Sequence, residues 1–279
     1  MQPIEEIPRK VLSSIEYILT DIDDTLTREG KLLPEAFTAL WRLRESGKTV
    51  IPVTGRPAGW CDCIIRQWPV RAVVGENGAF ALLAEDGQIS VLPHPETGYG
   101  GDRVLSRFPE APRDPRLEDI FRAVKEAIPE ARKAKDQFTR LYDLAVDFRE
   151  DEPRLDLSAA ERIKRIAEGF GAHAKVSSIH VNIWFGEYDK LGMALRLMSE
   201  VFGVSRKAAG ERILFVGDSP NDEPMFRFFP VSVGVANVGE YTHHMTDLPR
   251  FVTREPYGAG FAEAAARIQE AGTADPGTG

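Results

Sequence analysis

Tyr17-Ile18-Leu19-Thr20-Asp21-Ile22-Asp23-Asp24-Thr25-Leu26-Thr27 is a short apolar run that leads into three carboxylates within four residues. Acidic groups are costly to bury unpaired, so a buried strand ending in Asp-Ile-Asp-Asp needs a reason. An acidic turn is one, because an Asp side chain bonds its own backbone. A metal and phosphate site at the carboxyl end of a parallel strand is another, because open α/β sheets bind ligands there. The stretch alone supports both readings, and the other strand ends decide between them.

Working outward, residues 15–21 read as a buried strand. Residues 33–46 read as a helix opened by Pro34, with Leu33, Phe37, Leu40 and Trp41 on one face and Gly47 as its stop. A second strand at 49–54 ends in Thr54-Gly55-Arg56-Pro57, a helix follows at 58–68, and a third strand at 71–74 ends in Gly75-Glu76-Asn77-Gly78. This β-α-β-α-β order predicts an α/β fold with a doubly wound parallel sheet.

The rhythm then changes. Residues 80–83 and 89–92 flank Glu85-Asp86-Gly87 as a hairpin, and residues 93–116 are rich in Pro, Gly and charge. A helix at 117–128, a strand at 140–148, a helix at 157–168 and a strand or hairpin at 174–185 predict a separate α+β domain inserted into the first. The expected division is a core of residues 1–93 and 184–279 around an insert of residues 94–183. The doubly wound rhythm resumes with a helix at 188–202, its Leu191, Leu195, Met198 and Phe202 facing inward. Strands at 212–216, 231–235 and 251–253, a short helix at 223–229 and a last helix at 260–271 follow, and the small polar tail 272–279 reads as disordered.

Composition removes several function classes. A net charge of −8 with no basic block disfavours a nucleic-acid or anionic-membrane partner. Residues 1–10 lack the apolar stretch of a signal peptide, and no run approaches membrane-spanning length. Cys61 and Cys63, with no second pair, make neither a disulfide framework nor a zinc site. A cytoplasmic location is the expectation. His243 and His244 are adjacent and share no helix face, so they read as exposed residues rather than a metal pair.

The strand ends should meet at one edge of one sheet, bringing Asp21, Asp23, Thr54, Asp218 and Asp222 together with Lys190 from a helix start. Carboxylates with a single Lys and a hydroxyl suit Mg²⁺, which takes hard oxygen ligands, and a phosphoryl group, whose transfer is mostly positioning and charge stabilisation. On this reading Asp21 is a carboxylate nucleophile forming an aspartyl-phosphate. Asp23 is general acid and then general base. Thr54 and Lys190 hold the phosphate. Asp218 completes the metal site with Asp21 and the backbone carbonyl of Asp23, and Asp222 is a ligand or orients one.

Asp21-Ile22-Asp23-Asp24-Thr25-Leu26, Val53-Thr54-Gly55-Arg56, Lys190 and Gly217-Asp218-Ser219-Pro220-Asn221-Asp222 resemble, in this order, the four motifs of the haloacid dehalogenase superfamily of phosphohydrolases. The fourth motif and Gly75-Glu76-Asn77-Gly78-Ala79 are similar to the Cof-like and sucrose-phosphatase-like branch, which carries a type II cap where this chain has its insertion. The resemblance implies a Mg²⁺-dependent phosphatase acting on a small phosphorylated metabolite, a sugar phosphate or a related polyol or acid phosphate. It adds Gly55 to the phosphate site, and makes the cap the reader of the substrate. Asp24 departs from the family, where Gly is common, and reads as a turn residue. Candidate substrate contacts are Arg56, Glu76, Asn77 and Asn221 in the core, with Arg140, His180 and Asn182 in the cap. The same motifs leave a phosphomutase of the phosphomannomutase type as an alternative. A phospho-acceptor signalling module, which also uses a strand-end Asp with Thr and Lys, is a third.

Overall fold

The computed structural model describes residues 1–97, 105–108 and 113–272. Its centre is a six-stranded sheet in the order Gln2–Pro3, Phe251–Val252, Ser232–Gly234, Ile213–Gly217, Tyr17–Thr20, Thr49–Pro52. Every pairing in it is parallel. Strands buried on both faces read as continuous apolar runs, and alternate residues then serve opposite faces. Ile18, Leu214 and Val216 pack with the helices Pro34–Glu45 and Tyr257–Gly272, whereas Leu19, Ile213 and Phe215 pack with the helix Lys190–Glu200. No helix among the described residues is long and apolar enough to cross a membrane.

Several elements depart from the sequence expectation. The strand Ala72–Gly75 packs beside Thr49–Pro52, but its pairing with the parallel sheet is a single bridge, between Val53 and Val74. It pairs instead antiparallel with Phe80–Glu85, which pairs with Gln88–Pro93. The cause is the turn between them. Glu76 and Asn77 adopt left-handed φ angles of 41° and 55°, so the chain reverses where a helical crossover would otherwise begin. Helix Pro34–Glu45 buries Ala36, Ala39, Leu40 and Leu43 and leaves Trp41 exposed. Its small residues face Tyr257–Gly272 closely, for a Cβ on Gly258 would lie 2.9 Å from that of Ala36. Lys190–Glu200 likewise buries Met193, Ala194, Leu197 and Met198, with Leu191 and Leu195 only partly buried. The short helices Arg9–Ser14 and Arg206–Arg212 were not legible in the sequence. The polar tail beyond residue 272 lies outside the described residues.

Between the two stretches of the parallel sheet, the chain builds a four-stranded antiparallel sheet in the order His173–Val176, His180–Trp184, Leu144–Asp147, Arg132–Lys133. Helices Arg116–Ala127 and Leu157–Gly169 cover it, and Leu117, Ile120, Val146, Phe148, Ile163 and Val181 belong to a core of its own. We call this layer the cap. Its first central strand begins at Leu144, not at residue 140, because the preceding backbone is engaged elsewhere. The N–H groups of Leu141, Tyr142 and Asp143 donate to the carboxylate of Glu76 at 2.9, 2.7 and 3.2 Å. The same carboxylate accepts from the N–H of Ala58 at 3.1 Å, so one buried acid ties the cap to the start of the core helix Ala58–Gln67.

Burial and the neighbouring Asp143 push the Glu76 carboxyl up to about 7, against the pull of Arg140 and of these N–H donors. A carboxyl held above its ordinary 4.5 favours the fold while protonated, so this contribution is complete below about pH 4.5 and is lost as the pH climbs to about 7. Glu76→Gln does not titrate there. Between about pH 5 and pH 7.5 the wild-type melting temperature should therefore fall relative to that of the variant; parallel curves would refute the assignment.

Candidate active site

The register of the parallel sheet sets the site. Thr20 pairs with both Val216 and Pro52, so three neighbouring strands end level with one another. Asp21 follows the first, Asp218 the second and Thr54 the third. The Asp21 N–H donates to the carbonyl of Val216 at 2.9 Å, which holds its backbone in line with the ladder. Lys190 opens its helix, capped by Asp189, whose side chain accepts from the N–H of Gly192. Gly78 lets the turn after Ala72–Gly75 press against that helix start: at its φ of 106° a Cβ would sit 2.1 Å from the carbonyl oxygen of Asp189.

Lys190 Nζ donates to Asp21 Oδ1 and to Asp222 Oδ1, both at 2.8 Å. Asp222 spends its other oxygen on the N–H groups of Asp218 and Ser219, at 3.1 and 3.4 Å. Thr25 donates its hydroxyl to Asp218 Oδ1 at 3.1 Å, while Asp218 Oδ2 is buried with no partner among the described residues. Asp21, Asp218 and Asp222 each offer a ligand atom within 4.8 Å of the others. One ammonium therefore faces three buried carboxylates. Burial raises Asp21 to about 7, partly opposed by Lys190 and reinforced by Asp222 and Asp23. Burial, Asp21 and Asp222 raise Asp218 well above the usual carboxylate range. Burial pulls Lys190 down, but Asp21 and Asp222 outweigh it and hold the ammonium charged. Such a cluster with an orphaned oxygen fits a hard divalent cation with oxygen ligands.

Asp23 points into a different network. Arg56 donates to it through Nε and Nη2, at 2.7 to 3.0 Å. The same guanidinium reaches Glu150 at 2.8 Å and Asp136 at 3.3 Å, both in the cap, and lies 4.2 Å from the centre of the Trp60 ring. Arg56 is 2% exposed, so its three carboxylate partners absorb a charge that could not otherwise be buried. Thr54 is buried beside it, its Oγ1 accepting from the Arg56 N–H at 3.0 Å.

The cap residues expected to face substrate are engaged with protein groups. Arg140 donates to the carbonyl of Gly55 at 2.8 Å and to Asp143 at 2.9 Å. Asn182 donates to Asp143 at 3.0 Å, and His180 Nε2 lies 2.9 Å from Glu150. Asn77 is buried near Gly55, its Nδ2 unpartnered among the described residues. Asn221 Oδ1 accepts from Ser219. Asp24 has φ 56°, a left-handed turn position that Asp tolerates, and is not one of the three clustered acids. His243 and His244 are exposed, as expected.

A cavity of about 440 Å³ opens over Asp23, Asp24 and Arg56, with Arg149, Ser178 and Tyr241 among the residues of its wall. Sequence reasoning missed these last three. Arg149 was one of many arginines in the insertion, and nothing local set it apart.

A profile of haloacid dehalogenase-like hydrolases matches residues 18–92. A phosphoglycolate phosphatase of Pyrobaculum neutrophilum is 30% identical over 265 residues, 94% of this chain and 99% of that one. The chain belongs to the haloacid dehalogenase-like hydrolases. A second relative in this family comparison, phosphoglycolate phosphatase of Methanothrix thermoacetophila, is 28% identical over 92% of this chain and 99% of its own length. Among solved structures, a Thermoplasma acidophilum protein superposes with TM-score 0.65 at 19% identity, covering 91% of this chain and 98% of that one. Sucrose-phosphatase of Synechocystis does so with TM-score 0.57 at 14% identity, covering 91% and 97%. Of the activities open to the sequence, this membership carries the hydrolytic one: the protein is a phosphatase.

The Arg56 cluster yields a stability prediction. Arg56→Met removes the cation that Asp23, Asp136 and Glu150 share, leaving Asp136 only Arg140 at 3.3 Å, Glu150 only His180 at 2.9 Å, and Asp23 without the guanidinium. Urea unfolding should show a loss of about 3 kcal/mol; a loss below about 0.5 kcal/mol, within the usual range for surface changes, would dismiss the network as a structural tie.

Proposed function

We propose that this hydrolase is a Mg²⁺-dependent phosphatase that cleaves a small acid phosphate, phosphoglycolate or a close analogue, through an aspartyl-phosphate on Asp21. The observation that carries the reading is the excess of buried carboxylate at the sheet edge, three acids against Lys190, with Asp218 Oδ2 left unpartnered. The relatives named phosphoglycolate phosphatase support the substrate.

On this reading Lys190, held at Asp21 Oδ1, leaves the other Asp21 oxygen to attack phosphorus in line. As the P–O bond to the leaving group breaks, Asp23, protonated on an oxygen that Arg56 has released, gives that proton to the departing oxygen. Asp23 then takes a proton from water, which attacks the aspartyl-phosphate, frees inorganic phosphate and restores Asp21. Thr54 already accepts from the Arg56 N–H, so its own hydroxyl proton is available to a phosphoryl oxygen, with the Gly55 backbone beside it. The cation, held by Asp21, Asp218 and the Asp23 carbonyl with Asp222 behind, would neutralise charge on the transferring group. Arg56 orients Asp23. The cap over the cavity limits the access of bulk water.

With Mg²⁺ present, Asp21→Asn should lower turnover of p-nitrophenyl phosphate by at least about 10³-fold while leaving the circular-dichroism spectrum intact. A variant within about tenfold of wild type would end the nucleophile assignment. Chelation by EDTA should silence the wild-type enzyme and added Mg²⁺ restore it. Full activity after exhaustive chelation would overturn the cation's part.

A further inference from the structure

Four cationic side chains line the cavity over Asp23 and Asp24: Lys31, Arg56, Arg149 and Arg154. Arg56 is consumed by Asp23, Asp136 and Glu150. Arg154 is exposed and lies 3.5 Å from Glu152. Lys31 is exposed, in the two-residue strand Lys31–Leu32. Arg149 differs from all three. It is half-buried, and its backbone N–H donates to the carbonyl of Ile179 at 3.1 Å, which roots it in the cap. Its Nη1 donates to the Tyr241 hydroxyl of the core at 3.4 Å. Asp24 and Glu240 share the cavity, and Asp24 is near enough for Arg149 to oppose the rise that burial gives its carboxyl, yet no carboxylate oxygen among the described residues lies within ion-pair distance of Arg149.

A half-buried guanidinium normally meets a carboxylate or phosphate, whose geometry its planar fork matches. Here the other cap cation of the cavity wall, Arg154, has such a partner, and Arg149 lines the same cavity as Asp23, the residue proposed to protonate the leaving group. We propose that Arg149 is the specificity residue of the enzyme and binds the carboxylate of the leaving group, with the Tyr241 hydroxyl fixing the guanidinium plane. This inference rests on the acid-phosphate reading above. It assigns to the cap a substrate contact that Arg140, His180 and Asn182, engaged at the junction, do not make.

The test compares kcat/KM for phosphoglycolate and for 2-hydroxyethyl phosphate, which replaces the carboxylate by a neutral group of similar length. Wild type should prefer phosphoglycolate. In Arg149→Ala that preference should shrink by roughly 10- to 100-fold, carried by KM, as expected for losing a hydrogen-bonded charge pair. Arg149→Lys should recover part of it, and Tyr241→Phe should shift it a few-fold in the same direction. An Arg149→Ala enzyme that keeps the wild-type preference, or loses both substrates equally through kcat, overturns the assignment of Arg149 alone. Wild type that shows no preference for the carboxylate substrate overturns the substrate reading itself, before any variant is compared, and the Arg149 assignment with it.

Discussion

The constraint on which the site depends is buried charge of one sign. A parallel sheet ends three neighbouring strands at one level and delivers Asp21 and Asp218 to the same small volume, with Asp222 one short turn away. Lys190 reaches two of these three acids and not the third. A fold that placed three carboxylates there with no further cation would shed charge by protonation, and the upward shifts of Asp21 and Asp218 have that origin. The apolar packing of the sheet is therefore in tension with its edge. Ile18, Leu19, Leu214 and Phe215 supply the cohesion that keeps the acids together.

Among the buried polar joints that connect the cap to this core, two are built differently. At one, the Arg56 guanidinium gathers one core carboxylate and two cap carboxylates, so the residue proposed as acid and base shares its partner with the cap. At the other, Glu76 gathers backbone amides from the cap and from the core helix. The first joint borders the cavity. The second lies among buried residues away from it.

Much of the fold was legible because parallel strands announce themselves locally. Residues 15–21, 49–54 and 212–216 are apolar runs ending in Asp or in Thr-Gly, and the fold that such ends imply is the fold observed. Asp21, Thr54, Lys190 and Asp218 were legible as a group for the same reason, since each sits at the first polar position after a strand or at a helix start. What tertiary partners decide was hidden. Trp41 has the periodicity of a core residue and lies outside, because alanines on a neighbouring face allow a closer helix contact. Residues 141–143 alternate like a strand, yet their amides belong to a glutamate more than sixty positions earlier. Arg149 became distinguishable only once the partners of the other arginines were known.

The Glu76 joint is asymmetric. The core contributes a side chain, whereas the cap contributes only main-chain N–H groups, which every residue except proline possesses. The hydrogen bonds of this joint thus make no demand on which side chains occupy positions 141–143, so that Tyr142 can pack beside Phe80 of the core and Asp143 can hold Arg140 and Asn182. A joint of this kind tolerates drift on one side. The insertion can change its amino acids, and with them its chemistry, while the same glutamate continues to hold it in register.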